Sequence, residues 1–210
     1  MKSTSIGEKM TNKEKLILKL NEIGAVKFGD FVLKSGKHSP YYLDLRFLAS
    51  YPKALIMVAD EYGEVLKTLK HDLIVGVPYT GIPIATALAL RLNEPMLFTR
   101  KEVKEHGTGR QIEGVYKKGQ KAVVIDDVIS DGASKIETIK PLKKEGLKVE
   151  DIIVLLDRGQ GGPEIMKLKG YRCHSIMSIY DVITILQKHR KITTSQVKKA
   201  QEFLAAIEVK

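Results

Sequence analysis

Three short runs with apolar centres constrain this chain most: Leu73 to Val77 (LIVGV), Lys121 to Asp127 (KAVVIDD) and Asp151 to Leu156 (DIIVLL). Strands that are apolar on consecutive residues are covered on both faces, and segments of helical periodicity separate these runs. Pro52 to Lys70 places Leu55, Val58, Ala59, Tyr62, Val65, Leu66 and Leu69 on one helical face. Gly81 to Leu92 reads as a helix, Met96 to Thr99 as a strand, and Ala133 to Glu145 as a helix stopped by Gly146. The pattern predicts an α/β fold: a parallel central sheet with crossover helices on both faces.

The two ends read differently. Val26 to Leu33 and Tyr41 to Leu45 are expected strands joined by the turn-rich KSGKHSP, and Ser195 to Ile207 is an expected amphipathic helix. We expect one domain over residues 1–210, with a core at about 50–160 and a small cap, or hood, from about 11–48 and 160–210. The first twelve or so residues are polar, with a second Met at position 10, and are expected to fray.

Composition narrows the function classes. The 210 residues are 43% hydrophobic and 29% charged, the balance of a globular chain rather than a disordered one. No long uncharged apolar run occurs and the N-terminus lacks a signal peptide's apolar segment, so a cytoplasmic protein with no membrane partner is expected. The single Cys173 is expected to be a small buried hydrophobe, and no Cys/His spacing suggests zinc. The net charge of +10 leaves three partners open: nucleic acid, an anionic membrane surface or a small polyanion.

Val123 to Ser134, VVIDDVISDGAS, is the most specific segment. A buried strand delivers Asp126 and Asp127 to its C-terminal end, where open α/β sheets bind ligands. Ser130, Asp131, Gly132, Ala133 and Ser134 then form a small-residue turn opening a helix, whose free N–H groups and dipole suit a phosphate monoester. The acids suit ribose hydroxyls or metal-bound waters. No Gly-Lys-Ser/Thr follows, so this is not a Walker A loop.

This segment resembles the phosphoribosyl pyrophosphate (PRPP) signature of type I phosphoribosyltransferases. Four others resemble orotate phosphoribosyltransferase in particular: FGDFVLKSGKHSPYY (Phe28 to Tyr42), VGVPYTGIPIA (Val75 to Ala85), TRKEVKEHGTGRQIEG (Thr99 to Gly114) and LLDRGQGG (Leu155 to Gly162). The resemblance implies transfer of a phosphoribosyl group from PRPP to orotate with Mg²⁺, yielding orotidine 5′-monophosphate and pyrophosphate for UMP biosynthesis. Negative charge grows on the departing pyrophosphate, and the enzyme must neutralise it. The stretch Arg100 to Lys121 suits that demand, with seven Lys+Arg against three acids. By resemblance, Arg100, Lys101, Lys104 and His106 contact pyrophosphate, Lys104 is the main catalytic cation, and Asp127 belongs to the catalytic set. The family loop closes over a neighbouring subunit's site, implying a homodimer.

The same resemblance assigns PRPP to Tyr79, Thr80 and Gly81 and to Asp126, Asp127, Val128, Ile129, Ser130, Asp131, Gly132, Ala133 and Ser134. It assigns orotate to Lys34, Ser130 and Arg158, and a water-mediated metal to Asp126 and Asp127. Phe31, Tyr41 and Tyr42 are candidates to stack on the pyrimidine. Three departures stand out. Thr80 occupies a position where many bacterial orotate enzymes carry Lys, and the Tyr-Thr turn is similar to the orotate domain of UMP synthase. Ser130 replaces a commoner Thr. Asp131 puts an acid inside the phosphate turn, so its side chain must point away from the phosphate or oppose binding.

A purine phosphoribosyltransferase is the nearest alternative, disfavoured by Ser130 and by the KSGKHSPYY cap. A PRPP-sensing nucleic-acid regulator is another; there is no room before Phe28 for a winged helix, and Lys101, Lys104 and His106 favour catalysis over nucleic-acid binding. No decarboxylase domain fits within 210 residues, and an orotidylate decarboxylase is a possible partner.

Overall fold

The computed structural model describes residues 10–32, 38–100 and 111–208. The chain runs α1 (Asn12–Glu22), β1 (Val26–Val32), β2 (His38–Leu43), a 3₁₀ turn (Leu45–Ser50), α2 (Pro52–Leu66), β3 (Leu73–Gly76), α3 (Gly81–Leu92), β4 (Met96–Thr99) and β5 (Ile112–Glu113). It continues with β6 (Lys121–Ile129), α4 (Ala133–Lys144), β7 (Lys148–Asp157), α5 (Gly162–Leu168), β8 (Arg172–Ser178), α6 (Ile179–Lys188) and α7 (Thr194–Glu208).

Six strands form the central sheet in the order β5-β4-β3-β6-β7-β8; every pair is parallel except β4 with β5. Alternation along the strands divides the core. Val123, Ile125, Ile153 and Leu155 face α1, α2, α3, α6 and α7, whereas Val124, Ile152 and Val154 face α4 and α5. Burial on both sides is why these strands read as continuous apolar runs. β1 and β2 form a separate antiparallel hairpin, and Tyr41 of β2 meets Phe203 of α7 edge-on at 5.8 Å.

Several boundaries differ from the sequence expectation. The helix from Pro52 stops at Leu66, not Lys70, because Thr68 and Leu69 tighten its end by donating to Val65 and Leu66. The second cap strand is His38–Leu43 rather than Tyr41–Leu45, since Asp44 turns the chain by accepting from the Arg46 N–H. β6 extends past Asp127 to Ile129 because its pairing with β7 continues through Val128↔Leu156 and Ile129↔Asp157. The central sheet also runs beyond residue 160: β8 is its edge strand, and its sequence, RCHSIMS, lacks an apolar run.

Three helices escaped the sequence reading: α5, which opens on Gly161 without a side-chain cap, and α1 and α6, although these two carry capping boxes, Thr11 with Glu14 and Ser178 with Asp181. The fraying expected of the N-terminal residues falls mostly on 1–9, outside the described residues. Cys173, partly buried on β8, has its thiol pushed up to about 11 by burial, consistent with an inert packing residue.

Candidate functional site

The chain diverges between β3 and β6. β3 leads through α3 to β4 on one side, and β6 leads through α4 to β7 on the other, so their C-terminal ends open a crevice at the topological switch point. Pro78, Tyr79 and Thr80 turn over this crevice, with a cis peptide between Pro78 and Tyr79. Gly81 then starts α3 against the neighbouring strand: a Cβ there would lie 2.5 Å from the Ile125 carbonyl oxygen and 3.2 Å from Asp126 Cα. Only glycine lets the turn rest this close to β6.

Asp126 is held from several sides. Its Oδ1 accepts from the Asp127 N–H at 2.9 Å, and its Oδ2 accepts from Lys135 Nζ at 2.6 Å and Ser134 Oγ at 3.4 Å. The buried Tyr62 hydroxyl donates to its backbone carbonyl. With 4% of its surface exposed, Asp126 has its carboxyl pushed up to about 7 by burial, while the Lys135 ammonium pulls the other way. Asp127 is less buried, and its Oδ1 accepts from the Val128 N–H at 2.8 Å.

Ser130, Asp131 and Gly132 form the turn into α4. Gly132 adopts φ +81°, a left-handed conformation, and supplies no side-chain cap to the helix. Donors in this first turn are therefore available to an anion. Two are taken internally: Asp131 Oδ1 accepts from the Ala133 N–H at 3.0 Å, and the Lys135 N–H donates to the Gly132 carbonyl at 3.1 Å. The Asp131 carboxylate thus sits on a donor of the turn itself. Ile129, fully buried, backs the turn, and Val128 lines the pocket. The Pro78–Thr80 turn, the two acids and the Ser130–Lys135 segment together enclose about 170 Å³.

Arg158 follows β7 beside this pocket. Its N–H donates to the Ile129 carbonyl at 3.1 Å and its carbonyl accepts from the Tyr41 hydroxyl at 3.4 Å. Its Nε is buried and without a partner among the described residues, as expected of a donor whose acceptor arrives with a ligand. Arg100 pairs with Glu113 and lines a second cavity of about 480 Å³, which shares Pro78 and Ser134 with the first.

Lys34, Lys101, Lys104 and His106 lie outside the described residues. Of the stacking candidates, Tyr41 is fully buried and packs against Phe203, so it is a core residue. Phe31 and Tyr42 pair with each other across the hairpin at 5.5 Å. The sequence reading missed Lys135. Its signal was present: Lys135, Thr138, Ile139 and Leu142 form the buried stripe of α4, and a lysine in that register needs a buried partner.

Comparison with known proteins agrees with this geometry. Residues 49–186 match the family model for the phosphoribosyl transferase domain. A bifunctional enzyme PyrF/PyrE from Nostoc sp. is 43% identical over 86% of this chain and 38% of its own length. The orotate phosphoribosyltransferase of Pyrobaculum aerophilum is 42% identical over 83% of this chain and 91% of its own. The solved structure of Leishmania donovani UMP synthase superposes with a TM-score of 0.85 at 38% identity, covering 92% of this chain and 42% of that one. The chain thus spans about two fifths of the longer relatives and nearly the whole of the shorter one. Matched by the family model over residues 49–186 and by the orotate phosphoribosyltransferase of Pyrobaculum aerophilum over most of both chains, the chain is a member of the orotate phosphoribosyltransferases within the phosphoribosyl transferase family.

Proposed function

We propose that the chain transfers the phosphoribosyl group of PRPP to orotate, giving orotidine 5′-monophosphate and pyrophosphate. One observation carries the reading: Asp126 and Asp127 share a single pocket with the Ser130–Ser134 turn at the head of α4. In this reading the acids take the ribose hydroxyls, and the turn and helix N-terminus take the 5′-phosphate. The Tyr79-Thr80-Gly81 turn offers backbone to pyrophosphate, the work left to it where position 80 carries no charge. Arg158 brings a planar fork, its Nε without a partner among the described residues, for the carboxylate and carbonyl edge of orotate, and Ser130 adds a hydroxyl. Lys34 reaches the substrates from the cap. Arg100, Lys101, Lys104 and His106 neutralise the leaving group, with the loop serving the neighbouring subunit of a homodimer.

The residues fit a Mg²⁺ ion that arrives on pyrophosphate better than one chelated by the protein. Among the described residues no three His, Cys, Asp or Glu side chains are grouped so as to hold a metal ion, and both Asp126 oxygens are engaged. Asp127 would meet such an ion through water, and the ion, when bound, would supply charge neutralisation at the departing phosphates.

Two relatives contain this unit as about two fifths of a longer chain, and one of them is named bifunctional, which supports an orotidylate decarboxylase as partner. No described helix is long and apolar enough to cross a membrane. The test is an assay of orotate, uracil, hypoxanthine and adenine, each with PRPP, with and without Mg²⁺. Orotate should be consumed with stoichiometric pyrophosphate release, dependent on Mg²⁺. Turnover of a purine without turnover of orotate overturns the reading.

A further inference from the structure

Lys135 stands where a cation is doubly disfavoured. It is 3% exposed, and it lies in the first turn of α4, where the helix dipole is positive. Its ammonium nevertheless satisfies all three donors: Asp126 Oδ2 at 2.6 Å, the Val128 carbonyl, and Ser134 Oγ at 3.3 Å. Those acceptors belong to three parts of the pocket, namely the buried acid, the strand just past the acid pair and the start of the helix. The Ser134 hydroxyl closes a triangle by donating to Asp126 Oδ2.

We infer that Lys135 is a positioning residue for PRPP, tying the ribose-binding acid to the 5′-phosphate turn so that both are in register before the substrate arrives. The inference rests on the assignment of Asp126 to the ribose. Without the tie, Asp126 Oδ2 keeps only the long bond from Ser134. Charge points the same way. The pocket wall carries Asp126, Asp127 and Asp131, and Lys135 is the only cation among its described lining residues. A substrate with a 5′-phosphate and a pyrophosphate would otherwise meet three carboxylates and no buried positive charge.

The test compares steady-state kinetics of Lys135→Met, Asp126→Asn and the double variant in the full chain. Lys135→Met should raise the KM for PRPP by about tenfold or more while leaving the KM for orotate within about twofold, a split that general loosening of the fold would not produce. The double variant should be no worse than the more severe single, because both act through one contact. An unchanged PRPP KM in folded Lys135→Met, equal rises for both substrates, or additive effects in the double variant overturn the inference. Should Lys135→Met fail to fold, Lys135→Gln, which keeps a donor, replaces it under the same criteria. If Asp126→Asn leaves the PRPP KM unchanged, the ribose assignment itself fails; if it raises that KM while Lys135→Met does not, only the role of Lys135 fails.

Discussion

The hydroxyl of Tyr62 on α2 donates to the backbone carbonyl of Asp126 on β6, so a fully buried core tyrosine holds the strand at the residue where the acid pair begins. Packing and site are therefore coupled through one bond. Tyr62→Phe keeps the ring and leaves a buried carbonyl short of its donor, at a cost of about 1–3 kcal/mol. For a chain of this size that lowers Tm by roughly 2–4 °C per kcal/mol. A thermal melt checks the stability loss, and PRPP titration checks its reach into the pocket; a variant with wild-type Tm and affinity contradicts the coupling.

Gly81→Ala tests the contact between the two sides of the crevice. The added methyl would fall 2.5 Å from the Ile125 carbonyl oxygen, and both neighbours are backbone, so the turn must lift away from β6. Overpacking of this kind costs about 1–3 kcal/mol. We expect a lower Tm together with a higher KM for PRPP, since the displaced segment is the turn proposed to take pyrophosphate. An unchanged KM in a destabilised but folded variant would assign Gly81 to packing alone.

Asp131→Ala should improve PRPP binding. The substitution frees the Ala133 N–H and removes a negative charge from the turn. A like charge about 4 Å away costs about 1 kcal/mol in water, equivalent to roughly a fivefold lower KM for PRPP. The same change removes a local cap, so a small loss of stability should accompany the gain. A higher KM would mean that the carboxylate helps to shape the turn rather than competing for it.

How much was legible in the sequence follows from burial. Strands β3, β6 and β7 are covered on both faces and announce themselves as apolar runs, and the acid pair at the end of one of them marks the crevice. β8, an edge strand of mixed polarity, carries no such mark. Asp126, Asp127 and the Ser130–Ser134 turn were readable because their chemistry is local in the chain. The bond from Tyr62 to Asp126 spans 64 residues, and Lys135 had the look of one more helix lysine until its register on the buried stripe of α4 was set against its partner. The polarity of the first residues hid α1, whose start is set by a reciprocal Thr11–Glu14 bond rather than by hydrophobicity.

Arg158→Lys tests the proposed orotate contact apart from the proposed PRPP contacts. Lysine keeps the charge and loses the planar fork, so recognition of a carboxylate edge should suffer while the phosphate turn is untouched. The KM for orotate should rise by about tenfold or more, with that for PRPP within about twofold. Equal effects on both substrates would place Arg158 in the scaffold. Its backbone N–H bond to Ile129 survives the substitution, which keeps the chain path intact.

Glu14 supplies a pH dependence unconnected with catalysis. Its carboxylate accepts from Lys188 Nζ at 2.8 Å and from the Thr11 N–H at 3.0 Å, joining α1 to α6. These bonds, that from Lys188 first, hold the carboxyl at about 2 against an ordinary 4.5. A depressed folded value means that the folded state releases this proton more readily than the unfolded chain. The stabilisation is therefore complete above pH 4.5 and is lost as pH falls from there through about 2. Glu14→Gln removes the charge at every pH. Its Tm should lie below wild type near neutrality, and the gap should close as both proteins are melted at successively lower pH. A gap that stays constant from neutral pH to pH 3 would show that the clasp works through shape and neutral hydrogen bonds, independent of the ion pair.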